Sequence, residues 1–275
     1  MSISKILEFV PPNFSKDAAA LVIDSEEILT DLRKLMPNAE IFFLAEEKSQ
    51  LCESLKIKFL QGDYTKNLPT EAKIFDVVIA EEILTFAPDF YRTLLEINHL
   101  LKDSGFLLTK FFNVRFIGIL ESLRRGEFPA KEKRFWAKWD VVKILDDAIY
   151  KEIRFLPDER FEEKISAVKS WENFGFDNFS DDLITKIWLV KARKCTAEVA
   201  ALKEIYTSEI RAELSRILHR IEYGIDAEEN FSKLIEFCRR ENIFYDYLSD
   251  FIEQVVIHKK AADLIKIRIE QENLL

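Results

Sequence analysis

Short apolar runs alternate with segments of helical spacing over the first part of the chain. Continuous apolar runs are typical of strands that are buried on both faces of a sheet. The runs predict five strands, at 19–23, 41–45, 57–60, 75–80 and 105–111. Apolar residues at steps of three and four predict helices between them, at 27–36, 48–55 and 90–101. Alternation of strands and helices predicts a parallel sheet.

Strands and helices no longer alternate after the fifth predicted strand. A helix is predicted over 138–148, followed by two strands over 150–156 and 183–192. We expect these two strands to form an antiparallel hairpin at the edge of the sheet. The segment 157–182 between them is too long for a tight turn, and its aromatic residues are Trp171, Phe174, Phe176 and Phe179. We expect this segment to pack on the sheet or on the C-terminal region.

The period becomes helical after Thr196. One apolar face is formed by Val199, Leu202, Tyr206, Ile210, Leu214, Ile217 and Ile221. Gly224 is expected to end this helix. Asp226 and Glu229 have the spacing of a capping box for a second helix that ends near Asn242. Apolar spacing predicts two further helices, at 244–256 and 261–269.

These patterns predict two domains, at 1–194 and 195–275. The first is expected to be α/β and the second all-helical. A helical region of this size favours a scaffold, a homo-oligomer interface or a surface for a protein partner.

Composition excludes several classes of protein. The formal charge is −9, with 40 Lys and Arg against 49 Asp and Glu, and no basic run is long enough to follow a phosphate backbone, so nucleic acid is not expected as a partner. Cys52, Cys195 and Cys238 have no CxxC spacing, which favours reduced, structural thiols over a zinc site. No signal sequence and no membrane-spanning apolar run is found. The protein is expected to be cytoplasmic, without a membrane partner.

Two segments carry the most specific motifs. FDVVIAEEILTFAPD at 75–89 and EINHLLKDSGFLLTKFFN at 96–113 resemble the fourth and fifth strand regions of class I S-adenosylmethionine-dependent methyltransferases. The order of features over 10–158, including Pro11 and Pro12 before the first strand, is most similar to the branch associated with glycan biosynthesis. The resemblance implies a Rossmann-like sheet, S-adenosylmethionine as cofactor and methyl transfer to a surface glycan or sugar-linked acceptor.

The same resemblance implies a set of cofactor-binding residues. Glu46 would bind the ribose hydroxyls, since a carboxylate accepts two hydrogen bonds from a vicinal diol. In LQGDY, Gly62 and Asp63 resemble the motif whose aspartate meets the adenine amino group, and Tyr64 would cover the ring. The remaining candidates around the cofactor are Asp24, Ser25, Glu47, Ala80, Glu81 and Glu82.

Acceptor-binding candidates follow the fifth strand. LRRGEF at 123–128 and RFWAKWDVVKIL at 134–145 keep the order of the glycan branch. The resemblance points to Asn113, Arg115, Arg124 and Arg125 as residues that bind an acceptor, such as an anionic or nucleotide-linked sugar. The alternative is that these arginines are solvated on a surface loop. No catalytic residue and no metal ligand is assigned.

The loop after the first strand departs from the family pattern. The family has a glycine-rich loop there, because glycine alone tolerates the required backbone, whereas this chain has VIDSEEIL. Asp24, Glu26 and Ile28 stand where three glycines would be. The family's LEH after the fourth strand is replaced by Leu84, Thr85 and Phe86. None of the three histidines is expected to take over that role: His99, His219 and His258.

Two interpretations therefore stay open. The first is a working methyltransferase that holds acceptor and cofactor in line, for which an obvious base is not required. The second is a catalytically inactive scaffold or binding protein in a glycosylation system, because a fold alone does not license a chemical activity. A dinucleotide oxidoreductase and a P-loop hydrolase are excluded, since GxGxxG and GxxxxGK[ST] are both missing.

Overall fold

The chain forms two compact units, Met1–Lys194 and Cys195–Leu275. The structure is a computed structural model, and it describes residues 4–11, 18–66, 68, 75–128, 133–195, 206–256 and 258–272. The predicted positions Pro12, Val199 and Leu202 lie outside the described residues. Within the described residues, no helix is both long and apolar enough to cross a lipid bilayer.

The first unit is built on one mixed sheet. Its strands are β1 (Ala19–Ile23), β2 (Glu40–Ala45), β3 (Lys58–Gln61), β4 (Phe75–Ile79), β5 (Leu101–Asn113), β6 (Phe135–Trp136), β7 (Tyr150–Pro157) and β8 (Ile187–Lys194). The strand order is β3-β2-β1-β4-β5-β8-β7, and β6 pairs with the end of β5. Strands β1 to β5 are parallel, whereas β8 is antiparallel to both β5 and β7. The predicted Rossmann-like sheet with an antiparallel edge hairpin is confirmed.

Helices cover both faces of this sheet. They are α1 (Leu29–Leu35), α2 (Leu51–Ser54), α3 (Ile83–Phe86), α4 (Phe90–Leu100), α5 (Ile117–Arg124), α6 (Lys138–Asp147) and α7 (Ile165–Glu172). Short 3-10 helices occur at Lys5–Phe9, Glu26–Ile28, Glu162–Lys164 and Phe179–Ile184.

Alternation along β1 explains the two apolar layers. Ala20 and Val22 are buried in a cluster that contains residues of α1, whereas Leu21 and Ile23 are buried in a second cluster with residues of α3, α4 and α6. Successive side chains of a strand point to opposite faces, so a continuously apolar strand requires cover on both sides.

The second strand of the edge hairpin begins later than the sequence predicts. The predicted start at Leu183 is wrong, because Phe179–Ile184 is a 3-10 helix and β8 begins at Ile187. The buried Asp182 side chain in this helix accepts hydrogen bonds from Asn113 and Trp188, which holds the segment out of the ladder. The segment 157–182 contains α7, and Trp171 of α7 packs against the buried Phe116 and Ile117 cluster at the start of α5.

The second unit contains four described helices. They are α8 (Ser208–Glu222), α9 (Ala227–Arg240), α10 (Tyr245–Val255) and α11 (Lys259–Gln271). Gly224, with φ +67°, follows α8 as expected. The predicted capping box is wrong: Asp226 precedes α9 in the left-handed region, with φ 44°, and its side chain makes no cap hydrogen bond. The Asn230 amide donates instead to the carbonyl of Ile225 at 2.8 Å.

Candidate functional site

An acidic cleft lies at the carboxyl edge of the parallel strands. Asp24 follows β1, Glu46 follows β2 and Gly62 follows β3, so the three residues meet at one edge. Strand β2 lies on one side of β1 and strand β4 lies on the other, so the strand order reverses at β1. Open α/β sheets bind ligands in the crevice at such a reversal. The cleft has a volume of about 600 Å³ and is lined by Asp24, Glu26, Glu27, Phe43, Ala45, Glu46, Glu47, Gly62, Asp63, Tyr64 and Thr65.

Backbone hydrogen bonds set the turns that carry these side chains. The Asp24 amide donates to the Leu44 carbonyl at 2.9 Å, and the Gly62 amide donates to the Ala45 carbonyl at 3.0 Å. Asp24 has φ 54°, in the left-handed region that glycine adopts freely and that aspartate tolerates better than most residues. The backbone therefore makes a sharp turn at Asp24, which places a carboxylate at the end of β1.

Most of the predicted cofactor-binding residues are brought together here. Glu46 and Glu47 are exposed, whereas Asp63 and Tyr64 are half-buried. Asp63 accepts hydrogen bonds from the Thr65 hydroxyl at 2.6 Å and the Thr65 amide at 2.9 Å. The ion pair with Lys66, at 2.8 Å, and these hydrogen bonds lower the pKa of Asp63 to about 2.

The carboxylates of the cleft repel each other. Partial burial raises the pKa of Asp24, and the charges of Glu46, Glu27 and Asp63 raise it further. Burial also raises the pKa of the Tyr64 phenol, with contributions from Asp24 and Glu82. These couplings place the acidic groups of three strand ends in one electrostatic environment.

Two residues of the first loop have internal partners. The buried Ser25 hydroxyl donates to the Ile23 carbonyl at 3.3 Å. Glu26 accepts a hydrogen bond from the Ser49 hydroxyl at 2.6 Å. The Ser49 hydroxyl oxygen in turn accepts a hydrogen bond from the Leu51 amide at the start of α2. Glu26 is thus held between the first loop and α2 at the rim of the cleft.

A lysine on β5 joins the carboxylates that follow β4. Ala80 is buried and its amide donates to the Leu108 carbonyl at 2.9 Å. Since β4 ends at Ile79, both Glu81 and Glu82 turn toward Lys110, whose Nζ lies 3.4 Å from Glu81 Oε1 and 3.0 Å from Glu82 Oε1. Burial raises the pKa of Glu81. The charge of Lys110 acts to lower this pKa, and the charge of Glu27 acts to raise it further.

Lys110 did not emerge from the sequence motifs. It is the one charged residue within the run FLLTKFF, and a charge inside a buried strand requires a partner. That isolated charge is the signal that identifies it. Although burial disfavours its charge, Glu81 and Glu82 raise the pKa of Lys110.

Asn113 and Arg115 are engaged within the protein. The buried Asn113 amide donates to Asp182 Oδ1 at 2.9 Å and to the Thr185 carbonyl at 2.8 Å, and its oxygen accepts from the Arg115 amide at 3.0 Å. Arg115 Nε lies 2.7 Å from Asp182 Oδ2, and its guanidinium donates to the carbonyl of Asp177.

Arg124 and Arg125 are exposed at the end of α5. Arg125 donates to the Ser122 hydroxyl at 3.3 Å and lies 3.6 Å from a Glu127 carboxylate oxygen. Neither residue belongs to the lining of the acidic cleft. The structure thus does not bring the four acceptor candidates into that cleft, and their role in acceptor binding stays a prediction.

The cleft has the size of a small-molecule site. Its wall combines the Phe43 and Tyr64 rings with polar groups. Among the residues that the structure describes, no three histidines, cysteines or carboxylates are grouped as a metal ion would require.

Residues 26–109 match the family model described as "Methyltransferase domain". No curated protein matches the chain significantly. Among solved structures, the chain is similar to a SAM-dependent methyltransferase from Thermotoga maritima, at 14% identity and a TM-score of 0.48, over 69% of this chain and 85% of that one. A SAM-dependent methyltransferase from Archaeoglobus fulgidus gives 18% identity and a TM-score of 0.48, over 68% and 91% of the two chains.

An S-adenosylmethionine-dependent methyltransferase from Mesorhizobium loti gives 12% identity and a TM-score of 0.46, over 69% of this chain and 95% of that one. The family match covers residues 26–109, and the sheet that contains this segment has the Rossmann-like order β3-β2-β1-β4-β5.

Proposed function

We propose that the first unit binds S-adenosylmethionine in the acidic cleft and transfers its methyl group to an acceptor. The observation that carries the proposal is the convergence of Glu46, Asp63 and Tyr64 on one cleft at the carboxyl edge of the sheet, within the chain segment that matches the methyltransferase family model.

Each of the three residues has a defined role in this proposal. The exposed Glu46 carboxylate accepts two hydrogen bonds from the ribose hydroxyls. Asp63, ionised because its pKa is lowered to about 2, accepts a hydrogen bond from the adenine amino group, and the half-buried Tyr64 ring covers the base. The bound cofactor supplies an electrophilic methyl group on a sulfonium.

We assign the residues that follow β4 to the acceptor side of the site. Glu81 and Glu82 share the Lys110 ammonium, so this side keeps an excess of negative charge. A carboxylate there accepts a proton that an acceptor loses. Rate enhancement would come mainly from holding the two reactants in line.

A transfer assay with methyl-labelled S-adenosylmethionine tests this proposal. The acceptors are pooled into sugar-linked compounds, which the motif order predicts, and amines. With the wild type we expect methyl label in one of the two acceptor pools. With Glu46→Ala we expect the rate of labelling of that pool to fall at least tenfold. Glu53→Ala, which removes an exposed carboxylate outside the cleft lining, serves as the control.

A second candidate function is a non-catalytic binding protein. The acidic first loop favours it, since Asp24, Glu26 and Glu27 oppose the carboxylate of the cofactor. In that case neither S-adenosylmethionine nor S-adenosylhomocysteine binds, and no pool is labelled. Labelling of either pool excludes this candidate.

A further inference from the structure

An exposed aromatic cluster adjoins the carboxylates that follow β4. It is formed by Phe86, Phe112, Phe128 and Phe135, and we call it the aromatic patch. Phe86 is 44% exposed and Phe128 is 62% exposed. The ring centroid of Phe135 lies 6.1 Å from that of Phe112 and 6.1 Å from that of Phe128. Phe112 and Phe135 are half-buried, and neighbouring aromatic rings of which two are exposed are typical of a binding surface.

The patch is held in place by hydrogen bonds to α3. The Trp136 indole donates to the Leu84 carbonyl at 2.8 Å, and the Arg134 amide donates to the Thr85 carbonyl at 3.4 Å. Phe135 lies between these two anchored residues and pairs with Phe112 in the sheet. The aromatic rings are therefore presented on ordered elements.

The chain already places a cation in this patch. The Lys133 ammonium lies 4.4 Å from the Phe112 ring centroid and 5.9 Å from that of Phe86. Both distances are within the range of cation–π attraction, and groups of aromatic rings are a recurrent means of binding organic ammonium ions. Lys133 is exposed and lies next to Arg134 in a segment outside the helices, so its side chain can be displaced without disrupting a helix.

The patch is continuous with the acceptor side of the cleft. Lys110 and Phe112 are two residues apart on β5, so their side chains lie on the same face. Lys110 contacts Glu82, and Glu82 precedes α3, which ends at Phe86. Within the described residues, the buried Glu82 Oε2 atom has no hydrogen-bond partner. This oxygen is covered by the protein, but the Glu82 side chain as a whole is 34% exposed, so its carboxylate is within reach of a ligand.

We propose that the acceptor is an alkylamine whose ammonium group binds in the aromatic patch in place of Lys133, next to Glu82. This inference rests on the proposed function, because it names the acceptor class of that site. The bound ammonium first gives one proton to the Glu82 carboxylate. The freed nitrogen lone pair then forms the new N–C bond, the C–S bond pair stays on sulfur, and the product leaves as a methylated ammonium. A neutral sugar hydroxyl gains nothing from the aromatic rings.

Ligand binding without cofactor tests the site directly. The probe is choline, and the comparison ligand is 3,3-dimethylbutan-1-ol, which has the same shape without the charge. Both are titrated into the full chain and followed by NMR. Lys133→Gln removes the internal cation and is expected to bind choline at least fivefold more tightly than the wild type does. In this variant the alcohol should bind at least tenfold more weakly than choline does.

Two further variants separate the aromatic patch from general effects of charge and stability. Lys143→Gln removes an exposed lysine of α6 and should leave the choline affinity within twofold of the wild type. Adding Phe86→Leu to Lys133→Gln should reverse the gain, and because Phe86 is 44% exposed and leucine keeps an apolar side chain, the thermal unfolding temperature should change little.

Equal binding of choline and the alcohol to Lys133→Gln would overturn the inference, as would the same gain in Lys143→Gln. Failure of the proposed function is a different result, because S-adenosylhomocysteine would then not bind while choline still binds to the patch.

Discussion

Asn113 and Asp182 are joined by two hydrogen bonds although they are 69 residues apart. The Asn113 amide donates to the Asp182 backbone carbonyl at 2.7 Å and to Asp182 Oδ1 at 2.9 Å, and both residues are buried. This contact fixes the end of β5 against the segment that leads into β8. It assigns Asn113 a structural role that its place in an acceptor motif did not suggest.

Replacing Asn113 should reduce stability and leave cofactor binding unchanged. Asn113→Ala leaves the buried Asp182 oxygens short of donors, which costs about 2–4 kcal/mol in the free energy of unfolding. Urea denaturation followed by tryptophan fluorescence measures it, since all four tryptophans lie in the first unit. The exposed Asn173→Ala is the control. A stable Asn113→Ala protein that has lost methyl transfer would instead support the acceptor role.

Lys138 should make the stability of the first unit vary with pH in the alkaline range. It is buried, and its Nζ lies 3.4 Å from the Trp188 ring centroid. Burial lowers the pKa of Lys138 to about 8, and Arg115 adds to this while Asp182 opposes it. The unfolded chain holds this proton up to a pH of about 10.4. Between these two values the unfolded state binds more protons, so stability rises with pH.

Lys138→Met tests this dependence. The wild type should gain roughly 1–3 kcal/mol of unfolding free energy between pH 8 and pH 10.4 relative to the variant, because the folded state releases this proton well before the unfolded state does. Urea denaturation at several pH values gives the difference between the two proteins. Parallel curves for the two proteins would show that Lys138 is not the group responsible.

Glu222 links two helices of the second unit. Its side chain is fully buried, and its two oxygens lie 2.9 Å from His219 Nδ1 and 2.6 Å from His258 Nδ1. Burial acts to raise the pKa of Glu222, but hydrogen bonds from both histidines and from the His258 amide outweigh it and lower the pKa. A lowered carboxyl pKa stabilises the folded state above the unfolded value of about 4.3, and this stability is lost as the pH falls through the folded value.

Glu222→Gln should therefore loosen this unit at neutral pH. We expect hydrogen exchange in α8 and α11 to become about tenfold faster, which corresponds to about 1.4 kcal/mol. Glu229→Gln, at an exposed residue of α9 paired with Lys233, should leave exchange unchanged. Equal exchange rates in the wild type and Glu222→Gln would refute the role of the histidine pair.

Asp24 should weaken binding of a cofactor that carries a carboxylate. Asp24→Asn removes the charge and keeps a residue that tolerates the φ of 54°. We expect roughly fivefold tighter S-adenosylmethionine binding, since about 1 kcal/mol of repulsion between partly exposed charges is removed. Asp24→Gly should give the same gain, and equilibrium dialysis measures both. Weaker binding by Asp24→Asn would show that this carboxylate holds the cofactor's ammonium group.

The sequence predicted the sheet because its strands carry a strong local signal. The prediction for β1 matches the observed bounds, Ala19–Ile23, since an unbroken apolar run has few alternative conformations in a core. The start of β8 was misplaced because the long-range contact between Asn113 and Asp182 leaves no local pattern. The predicted Asp226 capping box is wrong for a different reason. The backbone of Asp226 lies in the left-handed region, which the spacing of Asp226 and Glu229 does not indicate.

The site was predictable only in part. The motif order placed Glu46, Asp63 and Tyr64, which do line one cleft. The aromatic patch was not foreseen, because its rings come from α3, β5, the segment after α5 and β6. No spacing along the chain indicates that these four positions meet.

Calorimetric titration with S-adenosylmethionine and S-adenosylhomocysteine, in the wild type and in Glu46→Ala, tests the central claim most directly. The account predicts binding in the micromolar range that is reduced at least tenfold in Glu46→Ala, while the control Glu53→Ala binds as the wild type does. Absence of heat up to millimolar concentrations of both ligands would contradict the claim and leave the first unit as a methyltransferase-like domain without its cofactor.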